Sequence, residues 1–464
     1  MADPKPYSPE WWVTKLKPKL DAQAREVARY ESYYDGKQPV PLALTTEHYR
    51  ETFMRMLRDV QDNWCPIVVD AVEERLNVEG FRMPDEPKSD KDAAAIWQRN
   101  SLDAEAELAH TTALTTGRAA LMVWAGADEQ PEITVEHPSQ VIVAYEAGSA
   151  RRRAAALKCW SDEWTGATMA NLYLPDGIHK MVHLGNAWIE RAERLPNPLG
   201  VVPVVEFRNR RKLMGSPRSE LADVTSTQDQ INLLVLDMLV AAEFGAFRQK
   251  WATGIELPVD PETGKPVEAF RASIERMWVT GSEDARFGDF AATDLGTYIA
   301  AIENRVQSLA ARTRTPPHYL LGSSGTFPSG ESLKATETGL VAKITRRQVH
   351  FGETWEEAMR LAFAVQGDMG KAEAFAMETI WRDPESRTEA EHVDAVVKKL
   401  AVGVPRQQLW EDLGYTQTQI GRFREMLLDE ALLTALSQPA PTLAFPADAP
   451  AAGQEVPAPE PVPV

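Results

Sequence analysis

Leu221, Val224, Ile231, Leu234, Val235, Met238, Leu239 and Ala242 recur at three- and four-residue steps between Ser216 and Gln249. That spacing lays one apolar stripe along a single long helix. Ser216-Pro217 supplies a favoured cap and then the residue best tolerated at a first helical position. Roughly thirty residues at about 1.5 Å each make a rod about 45 Å long, more than a compact domain usually accommodates. Such a rod needs a partner of similar reach. A second helical run, Asp294 to Thr313, follows residues 251–293, which glycines and prolines interrupt and which hold four basic against eight acidic residues. The predicted object is an elongated helical hairpin with a small insert at its far end.

Around this hairpin the pattern changes twice. Upstream, Lys15 to Tyr34 reads as a helix stopped by Asp35-Gly36. Another starts at Thr46, a third at Pro66, and Ala93 to Thr116 is helical again. From Arg118 the period shortens: Ala119–Trp124, Glu132–Glu136, Gln140–Tyr145, Ala155–Trp160, Met169–Leu174, Ile178–His183, Trp188–Ala192 and Val202–Phe207 read as strands of an antiparallel meander. Downstream of the hairpin come a small-residue segment, Gly322 to Gly330, and a long helical run from Glu331 to about Val365. Met377 to Leu436 reads as three or four short helices. Pro439 to Val464 holds eight prolines, seven alanines and no Lys or Arg, a composition expected to be disordered.

The chain of 464 residues carries 50 Lys and Arg against 68 Asp and Glu, a formal charge of −18. This balance opposes conventional DNA binding, where clustered cations neutralise phosphates. It does not oppose a protein that surrounds DNA without gripping it. Cys65 and Cys159 cannot build a disulfide framework, and no Cys or His pair has zinc spacing. The start, MADPKPYSPEWW, lacks a signal-peptide core. The most apolar stretch, Asn232 to Phe247, is broken by Asp237 and Glu243 and falls short of the roughly 20 residues of a bilayer span. The expectation is a protein that is neither exported by a signal peptide nor embedded in a membrane.

Enzyme signatures are missing. Thr263-Gly264-Lys265-Pro266 has neither the glycine spacing nor the Ser/Thr of a phosphate-binding loop, and Gly322-Ser323-Ser324-Gly325 is no nucleophile elbow. His179 and His183 have metal-ligand spacing for a helix, but their surroundings read as a strand without an evident carboxylate partner. Glu73-Glu74, Asp284 and Glu356-Glu357 read as solvated faces. No catalytic residue, cofactor or metal is expected. The densest basic run, Arg208, Arg210, Arg211, Lys212 and Arg218, suits phosphates or an acidic neighbouring subunit or strand edge. In so acidic a chain the second reading is favoured, and Arg151-Arg152-Arg153 is read alike. Gly322–Gly330 permits close backbone approach, with Phe327-Pro328 as an apolar tip; on composition alone it serves equally as a helix–helix linker.

Several segments, in consistent order from about residue 10 to 435, carry a resemblance. They are Tyr33-Tyr34-Asp35-Gly36; Asn63-Trp64-Cys65-Pro66-Ile67-Val68-Val69-Asp70-Ala71 through Glu79-Gly80-Phe81; Pro203-Val204-Val205-Glu206-Phe207 leading to Gly215-Ser216; Thr315-Pro316-Pro317-His318-Tyr319-Leu320-Leu321-Gly322; Ser329-Gly330-Glu331-Ser332-Leu333-Lys334; and Trp381-Arg382-Asp383-Pro384. With them the chain resembles portal proteins of tailed double-stranded DNA phages, in the long-tailed actinobacteriophage branch. The resemblance implies an α+β, mainly helical portal fold. Residues 1–215 would be the wing, with its N-terminal helices and strand meander; 216–250 the first stem helix; 251–293 a small α/β clip; 294–313 the second stem helix. Residues 314–330 would hold the tunnel loop at the channel constriction (Gly322, Ser323, Ser324, Gly325, Thr326, Phe327, Pro328, Ser329, Gly330). The long wing helix would take 331–376, the crown 377–438 and the Pro/Ala tail 439–464.

The resemblance also implies a homo-oligomeric ring, usually a dodecamer, at the unique capsid vertex of the virion, assembled in the host cytoplasm. Double-stranded DNA passes its channel without sequence specificity during packaging and ejection. Terminase, a head–tail connector or adaptor protein, the major capsid protein and a scaffolding protein are the implied partners, with no membrane involved. The runner-up from the residues alone is a capsid-associated hydrolase or nuclease with an unrecognised site.

Overall fold

The computed structural model describes residues 4–38, 62–84, 89–185, 187–246, 250–254, 284–289, 294–321, 330–385, 389–413, 415 and 417–437. The helix expected from Thr46, most of the insert 251–293, the loop positions 322–329 and the tail 439–464 lie outside these residues. The chain divides into two compact units, residues 1–386 and 387–464, and it mixes helix with sheet.

The first unit opens with α1 (Pro9–Tyr34), capped by Ser8, whose Oγ accepts from Trp11 N at 3.3 Å, with proline at the first helical position. Its buried Val13, Leu16 and Leu20 lie one or two turns apart and pack on Leu157, Leu172 and Met181 of a sheet. That sheet is the antiparallel meander β4 (Val141–Tyr145), β5 (Arg153–Ser161), β6 (Thr168–Leu174), β7 (Gly177–Leu184) and β8 (Ala187–Glu190); β9 (Leu195–Pro196) also pairs with β7. All eight predicted strand runs are strands, but they do not form one meander. β10 (Val204–Arg208) returns to pair with β2 (Arg118–Ala125), and β2 pairs with β3 (Pro131–Glu136), making a separate three-stranded sheet.

α2 (Cys65–Glu73), β1 (Val78–Arg82), α3 (Lys91–Arg99) and α4 (Leu102–Thr116) lie between α1 and β2. The single helix expected over Ala93–Thr116 is therefore two. Ser101 turns left-handed, with φ 52°, and Asn100 is tied to β3: its Nδ2 donates to Pro131 O at 3.1 Å and its Oδ1 accepts from Ile133 N at 2.9 Å. The sheet contact outweighs helix continuation.

The two runs read as a helical hairpin are α5 (Thr225–Ala246) and α6 (Gly296–Thr313), with β11 (Lys250–Thr253) pairing β12 (Arg286–Asp289) between them. After α7 (Pro317–Leu320) runs α8 (Gly330–Gln366), 37 residues, then α9 (Met369–Ala372) and β13 (Glu378–Trp381), which pairs antiparallel with β1. Met377–Trp381 thus belongs to the first unit, not to the separate helical segment assigned to it from sequence. The central core of this unit gathers α2, α4, β2, α5, α6 and α8 around Phe81, Trp97, His110, Phe207, Phe351 and Trp355. His110 is fully buried; Trp355 Nε1 donates to its Nε2 at 2.9 Å, and burial holds its pKa down at about 3, so it stays neutral.

The second unit contains α10 (Glu389–Ala401), α11 (Arg406–Asp412) and α12 (Gln417–Ser437). Phe423 packs edge-on against Trp410 and Tyr415 over buried Leu409 and Ile420.

Candidate functional site: the charged junction at the base of the helical hairpin

Segments far apart in sequence converge on the start of α5. Asn63 Nδ2 donates to the carbonyls of Tyr33 and Tyr34 at 2.8 and 3.0 Å, joining the end of α1 to the start of α2. Gly36 sits at φ 68° against that same amide, where a Cβ would lie 3.3 Å from Nδ2. Tyr33 OH donates to Asp229 of α5 at 2.9 Å, and Gln228 Oε1 accepts from Trp64 N at 2.9 Å. Burial first, then the hydrogen bond to Asp229, pushes the Tyr33 hydroxyl up to about 12, so it is a donor at any ordinary pH. On the other side Arg75 Nη2 donates to Tyr319 OH at 2.6 Å and pairs with Glu337 of α8, while its Nη1 reaches Pro384 O at 3.3 Å. Five of the six segments that carry the resemblance meet here or in the core beneath, with Phe207 the representative of the Val204–Phe207 strand.

The predicted helix from Ser216 does not start there. Residues 216–218 are non-helical, Glu220–Asp223 is a single 3₁₀ turn, and α5 begins at Thr225. The cause is a buried charge. Ser219 caps the turn through Leu221 N at 2.9 Å and donates to Thr115 O, which holds Glu220 inward. Glu220 is 4% exposed and accepts from Arg347 Nη2 at 2.7 Å, Arg347 Nε at 3.1 Å and Asn209 Nδ2 at 3.1 Å, with Lys343 Nζ 3.0 Å away. Lys343 also donates to Thr313 O, the last turn of α6, at 3.2 Å. Desolvation alone would raise the Glu220 carboxyl; Lys343 and Arg347 overcome it and hold it at about 2. Glu220 thus ties the turn before α5 to α8, and Lys343 carries the link on to the last turn of α6.

Beside this network opens a cleft of about 410 Å³. Arg210 and Arg211 reach it from the loop after β10, Arg312 and Arg314 from the end of α6, and Lys343, Arg346, Arg347 and His350 from α8. Its carboxylates are Glu220, already shared by two cations, and Asp223, which pairs with Arg210 at 3.1 Å and with Arg218. His350 is kept toward its neutral form by burial, then by Arg347 and Arg211. The cleft is a concentrated positive field in a chain of charge −18, and such a field attracts anionic groups.

Of the basic run read from sequence, Arg210 and Arg218 find Asp223 on their own chain, and Arg208 stacks over the Tyr145 ring at 4.8 Å. Arg153 pairs with Glu357 at 2.5 Å and Arg152 with Glu146 at 3.1 Å. His179 does have a carboxylate partner, contrary to expectation: Glu190 on the adjacent strand, 2.6 Å from Nδ1. His179 is packed, at 8% exposure, and among the described residues no group of three or more His, Cys, Asp or Glu could hold a metal ion. Of the tunnel-loop residues, Gly322, Ser323, Ser324, Gly325, Thr326, Phe327, Pro328 and Ser329 lie outside the described residues, and Gly330 is the first residue of α8. Arg312, Arg314 and Arg346 were not singled out from sequence, because they lie in two segments more than thirty residues apart in the chain; only the fold brings them together. Among the described residues no helix is long and apolar enough to cross a membrane.

The comparisons agree with this convergence. The sequence profile described as Phage portal protein, SPP1 Gp6-like, matches residues 14–429. The portal protein of Mycobacterium phage D29 is 30% identical over 434 residues, covering 89% of this chain and 87% of the relative. That of Mycobacterium phage L5 is 30% identical over 429 residues, covering 88% and 86%. The match runs through the meander, the three-stranded sheet, α5 and α6, the charged junction and α8, and the chain belongs to the phage portal protein family of the SPP1 Gp6-like type.

Proposed function

We propose that this chain assembles into a ring, a dodecamer, at the unique vertex of a phage capsid. The ring conducts double-stranded DNA inward during packaging and outward during ejection. In this reading residues 1–215 form the wing, 216–250 and 294–313 the stem, 251–293 the clip, 331–376 the long wing helix and 377–438 the crown, whose first residues, Glu378–Trp381, pair with β1. Gly322–Gly330 forms the tunnel loop, where Phe327 and Pro328 touch the passing duplex sterically. Terminase docks on the ring during packaging and a head–tail connector afterwards, while the major capsid and scaffolding proteins surround the wing during assembly in the host cytoplasm. The role is structural, and catalysis belongs to the terminase.

The observation that carries this reading is family membership over nearly the whole chain together with the state of the stem. Leu233, Leu234, Met238 and Val240 of α5 remain only half-buried, and Ile299 of α6 is 50% exposed. A lone subunit leaves this apolar surface in water, and ring neighbours would cover it. The acidic balance suits a conduit, because phosphates held in deep cationic wells would resist movement.

Particle mass by light scattering with negative-stain microscopy tests the reading. Rings with a hole of about 20–25 Å, wide enough for a duplex, are expected. A compact monomer across all concentrations would refute it. Replacing Phe327 and Pro328 by glycine is expected to impair DNA packaging or retention, and unchanged packaging and retention would remove the role given to the loop tip.

A further inference from the structure

We propose that the cationic cleft at the base of the stem is completed by a second copy of this chain, which inserts the acidic face formed by its α2 and α4. The inference rests on the ring reading and adds to it a specific seam between neighbours.

Seven Arg and Lys side chains line the cleft against two carboxylates, and both carboxylates are already engaged. Arg211, Arg312, Arg314 and Arg346 have no ion pair or side-chain hydrogen bond among the described residues. Four guanidinium groups held at one opening from three separate elements repel one another, and the arrangement is relieved only when anions enter. Arginine forks suit planar carboxylates in bidentate pairs.

The same unit carries a matching surplus. Glu73 is half-buried at the end of α2, with Asp70, Glu74 and Glu107 of α4 as its charged neighbours. Burial first, and then those acids, raise its carboxyl to about 7, and no cation among the described residues is a cause of that shift. Glu74, Glu107 and the neighbouring Leu108 are exposed. The patch and the cleft are each unfavourable alone and each neutralises the other. Because they are different surfaces, their contact is head-to-tail, the kind that closes a ring.

Duplex phosphate is the other anion at hand. A ring repeats every site in every subunit, so a cleft filled by phosphate would become a girdle of wells that release DNA slowly. A cleft filled by protein carboxylates presents no such obstacle.

The test is a charge swap in the full chain. Arg312→Glu with Arg346→Glu reverses the cleft, and Glu74→Lys with Glu107→Lys reverses the patch; all four positions are exposed, and circular dichroism checks the subunit fold. Each pair alone should raise the protein concentration for half-assembly on the order of a hundredfold, as like charges then face each other. The fourfold variant should recover assembly to within about tenfold of the parent. Normal assembly of either pair overturns the proposal and leaves the ring reading intact. Failure of the fourfold variant to recover rules out contact between these two surfaces. If the cleft pair assembles normally but parent rings alone retain a duplex DNA probe, the cleft takes phosphate. A parent that stays monomeric removes the ring reading and the proposal with it.

Discussion

Replacing Glu220 by glutamine should cost this fold more than any surface substitution, and the structure sets the size. The carboxylate is 4% exposed and faces Lys343 and Arg347, themselves 6% and 8% exposed. Glutamine keeps the shape and one acceptor oxygen but leaves both cations uncompensated. Arg347 cannot discharge, so the expected loss is about 3–5 kcal/mol at pH 7, the range for breaking a buried ion pair from one side. Urea unfolding at low protein concentration, followed by tryptophan fluorescence, measures it. The pH dependence supplies a second handle. The folded carboxyl, at about 2, lies below its ordinary 4.5. Its contribution is therefore fully present above pH 4.5 and disappears as pH falls toward 2, so the gap between parent and Glu220→Gln should close over that window. Lys343 is already pushed down by desolvation with Glu220 opposing; without its counterion it loses its proton more easily, and Lys343→Met should restore part of the loss. A loss under about 1 kcal/mol, or parallel pH profiles, would refute the view that this carboxylate ties the junction.

Glu73 should behave in the opposite sense. Its folded pKa, about 7, is raised, so its contribution is complete below 4.5 and is lost as pH rises through 7. Glu73→Gln should then stabilise the isolated subunit at pH 8 by on the order of 1 kcal/mol, reduced by solvent screening, as thermal melts at pH 5 and 8 would show. Trp355→Ala removes a fully buried ring that contacts Trp97, Phe207 and His110 and should cost about 3–5 kcal/mol in urea unfolding. Tyr33→Phe breaks the bond to Asp229 and should cost about 1.5–3 kcal/mol, with faster amide exchange in the first turns of α5 as its local signature. Gly117, at φ 92°, would place a Cβ 3.0 Å from Ser219 N, so Gly117→Ala should destabilise by about 1–3 kcal/mol, measured the same way.

The long elements were legible because apolar periodicity over many turns leaves little choice. α1, α6 and α8 lie within a few residues of the runs read from sequence, and each predicted strand is found. The misreadings share one physical origin, a decisive neighbour distant in sequence. Ser216-Pro217 satisfies every local rule for a helix start, yet Glu220 must reach Lys343 and Arg347, and the helix waits until Thr225. Glu378–Trp381 is too short to announce itself as a strand, and its pairing with β1 decides. Asn100 looked like a helix interior until β3 supplied its partners. The cleft was invisible for the same reason, since only Arg210 and Arg211 of its arginines stood in a basic run and the others reach it from two further segments.

The pairing of β13 with β1 also bears on when a subunit can exist. Arg382 Nε donates to Glu79 Oε1 across a sequence separation of 303 residues, and Val78 faces Trp381 in register. α5, α6, the segment between them and α8 are all an excursion between these two short strands. A nascent chain exposes β1 as an unpaired edge until synthesis has passed Trp381. The β1 edge is therefore closed only after synthesis has passed Trp381, and any product truncated before β13 leaves it open.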